Sequence, residues 1–117
     1  MKADTPVAKF GKFLVENLRD KGIDFAEGLL NQRWKAPELQ ETQTSLEKLS
    51  AAQKEIFIKT VTKAVDNGIH DFLFALQSTG DIQILVDGQN IVDLSDGING
   101  EAYSDDGWYS KFSKYSQ

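Results

Sequence analysis

Seven carboxylates fall between residues 81 and 106: Asp81, Asp87, Asp93, Asp96, Glu101, Asp105 and Asp106. No Lys or Arg accompanies them, so the local charge is −7. Residues 1–80 balance at eleven acidic and eleven basic side chains, and Lys111 and Lys114 complete the net charge of −5. Tyr103, Trp108, Tyr109, Phe112 and Tyr115 lie within or beside the acidic stretch. Acid beside aromatic suits the grip on a basic partner, because carboxylates steer the encounter while desolvated rings hold the complex. The partner-binding candidates are therefore Asp87, Asp93, Asp96, Glu101, Asp105 and Asp106, with Trp108 and Tyr109 as anchors. A plainer reading competes. Asp and Asn favour turns, and Asp87-Gly88, Asp96-Gly97, Asn99-Gly100 and Asp106-Gly107 are turn signals, with the aromatics then belonging to a core. Turn chemistry does not explain why no cation interrupts the stretch.

Other chemistry is less well supported. Asp93, Ser95, Asp96, Asn99 and Glu101 are hard oxygen ligands within nine residues. They miss the calcium-loop pattern, because Gly97 stands at the fifth place counted from Asp93 and Asp96 breaks the alternation. Asp96 and Glu101 could pair as acid and base. Asp93, Asp96 and Glu101 with His70 would then form the working set of a small hydrolase or metal-dependent enzyme. His70 is the only histidine, four residues after Asp66 and beside Asp71 on the polar side of a predicted helix. There are no cysteines, so thiolate catalysis and zinc–cysteine sites are excluded. No Gly-x-Ser-x-Gly, phosphate loop or dinucleotide fingerprint occurs. An enzyme is not expected, and neither is a metal or other cofactor. The acidic balance also argues against nucleic acid, which needs a basic face.

The elements that must position these groups read as one domain over residues 1–117. Thr5 and Pro6 open a helix over 7–21 with Val7, Phe10, Leu14 and Leu18 on its buried stripe, ended by Gly22. Asp24 and Glu27 have capping-box spacing for a second helix from Phe25 to about Trp34, which Pro37 stops. Residues 38–49 are polar, with a short helix around Ser45–Leu49. Ser50 and Gln53 form another capping box, and the pattern runs on to Gln77. Along it Phe57, Ile58, Val61, Ala64, Val65, Ile69, Phe72, Leu73, Ala75 and Leu76 share one arc, while Ile56 and Phe74 point elsewhere together. Ile82, Ile84 and Val86, the turn Asp87-Gly88, and Ile91–Leu94 then read as a β-hairpin. Trp108–Tyr115 fits a helix or a strand. The fold expected is α+β: three helices, the third long, packed with a small C-terminal antiparallel hairpin.

Three blocks, residues 68–76 (Gly68 to Leu76), 95–101 (Ser95 to Glu101) and Asp106-Gly107-Trp108, resemble segments of small uncharacterised bacterial proteins, some of which look like immunity proteins of toxin systems. The resemblance covers roughly residues 50–113 and transfers no functional residue. It implies a small acidic cytoplasmic protein that acts by binding. The polar start Met1–Pro6 has no apolar run after it, and the longest apolar run, Phe72–Leu76, is far below the ~20 residues of a membrane span. The expected partner is thus a protein with a basic surface, not nucleic acid or membrane. A homodimeric structural protein, pairing through its long helix, is the second alternative after the enzyme.

Overall fold

The computed structural model describes residues 5–115, and the expectation for Met1–Asp4 lies outside them. Four helices and one two-stranded antiparallel sheet make up the regular structure among the described residues. The two N-terminal helices expected from the sequence are one. Helix α1 (6–30) runs as α-helix over Pro6–Leu14, widens into a single π turn over Val15–Arg19, and resumes as α-helix over Asp20–Leu30. Thr5 caps it, its side chain accepting from the Ala8 N–H at 3.2 Å, and Pro6 occupies the first turn.

Gly22 does not end α1. A glycine inside a helix costs about 1 kcal/mol, whereas burying Ile23, Ala26 and Leu29 beyond it yields more than that for each large side chain. Asp24 and Glu27 consequently stand mid-helix and form no cap. The helix stops at Leu30 instead of Trp34. Gln32 takes φ +57°, and the Arg33 N–H closes back on the Gly28 carbonyl at 2.9 Å, the hydrogen bond of a Schellman end.

The π turn also corrects the buried stripe. A wider turn rotates the residues beyond it, so Leu18 faces solvent and its neighbour Arg19 is fully buried.

After a 3₁₀ turn at Pro37–Leu39, helix α2 spans Gln40–Glu47, earlier than the Ser45–Leu49 expected. Its buried Gln43 clamps the connection, accepting from the Trp34 N–H at 3.0 Å and donating to the Trp34 carbonyl at 3.0 Å. Helix α3 spans Ala51–Ser78 and begins with the capping box expected at Ser50 and Gln53. Its 28 residues give a rod about 42 Å long. Only Ile69, Leu73 and Leu76 are buried on it, with Phe57, Ile58, Val61 and Val65 half-buried. Phe72, expected in the core, is 53% exposed, and Ala64 and Ala75 are exposed as well.

The hairpin is shorter than its hydrophobic alternation suggests. Strands β1 (Leu85–Val86) and β2 (Gln89–Asn90) pair Leu85 with Asn90 and Val86 with Gln89. Asp87 and Gly88 form the two-residue loop, both with positive φ (+53° and +79°), the requirement of a type I′ turn. Ile91–Leu94, expected as the second strand, is instead a run of turns. Beyond it come a 3₁₀ turn at Ile98–Gly100 and helix α4 (Trp108–Phe112). The core gathers Val7, Leu14 and Val15 from α1, Ile69 and Leu73 from α3, and Ile91, Ile98, Ala102, Trp108 and Tyr109 from the C-terminal segment.

Candidate partner-binding surface

The turns after the hairpin set out the acidic residues one by one. Asp87, lifted by the I′ loop, meets Lys9 of α1 at 2.8 Å. Asp106 meets Lys111 at 3.1 Å. The stretch is therefore neutralised in part by lysines from outside it. Asp93 accepts from the Asn90 side chain at 3.4 Å, and Glu101 accepts from the Ser95 hydroxyl at 2.6 Å. Asp81, Asp93, Asp96 and Asp105 are exposed and make no ion pair among the described residues.

Asp96 and Glu101 line one polar notch of about 340 Å³ with Leu94, Ser95, Gly97 and Gly100. Asp93 lines a separate depression with Gln77, Gly80 and Ile82. Asp105 and Asp106 line neither.

Trp108 and Tyr109 are not surface anchors. They are 0% and 2% exposed. The Trp108 indole lies against Gly11 so closely that a Cβ there would collide with the ring, and it meets the Phe10 ring edge-on at 5.8 Å. Burying the two largest apolar groups of a short C-terminal segment is what fixes that segment to the helices. The Trp108 indole N–H and the Tyr109 hydroxyl have no hydrogen-bond partner among the described residues. The apolar side chains that do reach the surface in this region are Ile82, Leu85, Leu94 and Tyr103.

His70 joins neither the notch nor the other carboxylates of the candidate enzyme set. Its Nδ1 stands 3.2 Å from Asp71 and its Nε2 is 3.4 Å from the Asn99 amide, with the ring 5.9 Å from Tyr103. Among the described residues no three His, Cys, Asp or Glu side chains come together as metal ligands.

A second polar cluster went unread in the sequence. Arg19 donates to Asp66 through Nε at 2.6 Å and Nη2 at 3.1 Å, and through Nη1 to the Ser113 hydroxyl at 2.9 Å and the Tyr115 carbonyl at 2.6 Å. Its guanidinium also lies 4.1 Å from the Tyr109 ring centroid. Burial pulls the Arg19 pKa down, but the hydrogen bond and charge of Asp66 outweigh it and the net shift is upward. Beside it, Asp20 accepts from the Ser113 hydroxyl at 2.6 Å and the Lys114 N–H at 3.0 Å. The Tyr115 hydroxyl donates to Glu27 at 2.8 Å and Asp24 at 3.3 Å. Burial, then the Glu27 hydrogen bond, pushes the Tyr115 phenol well above its usual range, and burial followed by the Asp66 charge does the same to Tyr109. Asp24 is held below the ordinary carboxylate range, first by its hydrogen bond to Arg33. The cluster is a latch that straps 113–115 across α1 and α3. An Arg-Asp pair inside an otherwise amphipathic helix was its only sequence signal.

Fold and surface define a small α+β protein in which residues 113–115 are latched to the helices and the segment 81–106 is acidic. The chain belongs to a family of unknown function (DUF6547), whose profile matches residues 13–108. That description names no activity and does not connect the chain to toxin immunity. No curated protein and no solved structure gives a significant match. No described helix is long and apolar enough to cross a membrane.

Proposed function

We propose that this protein is a non-enzymatic binding module that receives a protein with a basic surface on its acidic C-terminal end. The observation supporting this reading is the notch of Leu94, Ser95, Asp96, Gly97, Gly100 and Glu101, in a segment whose Asp93 and Asp105 are exposed as well. A lysine or arginine of the partner would lay its aliphatic stem on Leu94 and its charge between Asp96 and Glu101. Exposed Ile82 and Leu85 would supply apolar contact in place of Trp108 and Tyr109. Occlusion of a basic effector surface, as an immunity-type inhibitor achieves it, is the form of action these features fit.

The test is a pull-down with products of neighbouring genes, and then binding kinetics. Association should slow at high salt, because the screening length falls from about 8–10 Å near physiological ionic strength to about 3 Å at 1 M. Asp93→Asn, Asp96→Asn and Asp105→Asn together should slow it as well, and Leu94→Ala should speed dissociation. A partner whose binding ignores both salt and the three aspartates would refute the reading.

A further inference from the structure

The acidic balance of the chain reverses locally on another surface. A cleft of about 670 Å³ opens between the strap 113–115 and α3, within the range of about 300–1,000 Å³ typical of small-molecule sites. Its apolar walls come from Ile58 of α3 and Tyr115, with buried Ile23 of α1 at its floor, and Lys59, Lys63 and Lys114 also line it. Lys59 and Lys63 are one helical turn apart on α3, and Lys114 reaches in from the strap.

The acids around the cleft are already engaged. Asp66 lines it, but its carboxylate is held in two hydrogen bonds by Arg19. Glu27 accepts from the Tyr115 hydroxyl, and Asp24 pairs with Arg33 at 3.1 Å and, more loosely, with Lys114 at 3.9 Å. Glu55 meets Lys59 at 3.2 Å, with both side chains about two-thirds exposed, where such a pair is worth little. Lys63 is exposed and makes no ion pair among the described residues. An apolar slot with ammonium groups at its edge complements one kind of molecule, an apolar body ending in a single anionic head.

We infer that this cleft binds a small amphiphilic carboxylate. Its tail lies along Ile58 and the Tyr115 ring, above buried Ile23, and its head is held by Lys63 with Lys59 or Lys114. Lysines act as mobile point charges, without the fixed fork of arginine. The site therefore selects by charge and tail and not by a two-point grip on the head. It shares no residue with the acidic notch, so either proposal can fail without the other.

Decanoate, kept below its micellar range, is the probe, titrated by calorimetry at low salt. One saturable site is expected, with affinity at least tenfold lower for Lys63→Glu and unchanged for Lys12→Glu, an exposed position on α1. Thr62→Trp, which fills the cleft, should abolish binding. Circular dichroism checks the fold of each variant, and if Thr62→Trp does not fold, the surface change Lys63→Glu decides alone. No saturable decanoate binding, equal binding of uncharged 1-decanol, unchanged affinity in Lys63→Glu, or capture of anionic phospholipid vesicles in preference to free decanoate would each overturn the inference.

Discussion

Replacing Asp66 by Ala isolates the energetic role of the latch. Arg19 is fully buried, and the Asp66 side chain beside it is 16% exposed. The change removes two charge-assisted hydrogen bonds and leaves a guanidinium in the interior without its main counter-charge. Breaking a buried ion pair from one side costs about 3–5 kcal/mol. Here the lower end applies, for two reasons. Arg19 keeps its hydrogen bonds to the Ser113 hydroxyl and the Tyr115 carbonyl, and partial exposure lets water into the vacated space. About 3 kcal/mol corresponds to a melting temperature lower by roughly 10–15 °C for a chain of this size. Asp66→Asn, which retains one acceptor, should lose about half as much. The double change Arg19→Met with Asp66→Leu should cost less than the sum of its singles, with a coupling of at least about 1 kcal/mol. Guanidinium melts monitored by the fluorescence of buried Trp108 supply the numbers. A loss under about 1 kcal/mol for Asp66→Ala, typical of an exposed pair, would refute the assignment of the latch as a buried, one-sided dependency.

Burial and titration yield two further expectations. Trp108→Ala should destabilise by about 3–5 kcal/mol, whereas Phe72→Ala, at a half-exposed position, should cost under about 1 kcal/mol; equal losses in denaturant melts would mean that the assigned core is wrong. Tyr103, Tyr109 and Tyr115 all have folded pKa values above the ordinary phenol, with burial the largest cause in each. The unfolded chain ionises first, so their contribution is complete below about pH 10 and is lost as pH rises toward the folded values. Melting temperatures should thus fall steeply above pH ~10, with tyrosinate absorbance appearing together with unfolding. Tyrosinate that forms fully while the protein stays folded would contradict this.

Legible and hidden features of the sequence divide along physical lines. The Ser50–Gln53 box and the Asp87-Gly88 turn were legible because each is a local device, complete within four residues. The long helix was legible from its period. Its buried face was not, since period marks an apolar arc while only neighbouring elements decide how much of that arc is covered, and Phe72 falls outside the cover. The π turn carries no compositional mark, so by period alone Leu18 reads inward and Arg19 outward. Trp108 and Tyr109 stand near carboxylates and read as a surface, yet the indole's seat on Gly11 lies 97 positions away in the chain and no local pattern announces it. The acidic residues were readable as types. Which of them would be met by Lys9 or Lys111, and which would share a notch, depended on turns whose direction the Asx-Gly pairs do not specify.

The latch also bears on the order in which the molecule can be completed. Arg19 and Asp20 bind partners 93 to 96 positions further along the chain. On a ribosome, α1 emerges with a charged pair that belongs in the interior and with part of its bonding capacity waiting for residues still to be made. Asp66 arrives midway and can hold the guanidinium provisionally, while Ser113, Lys114 and Tyr115 come much later. Contacts of such span close late, so the first helix and the last three described residues reach their final state together. A chain interrupted between Phe112 and Ser113 would contain every helix and strand described here and still lack the groups that make its interior electrically quiet.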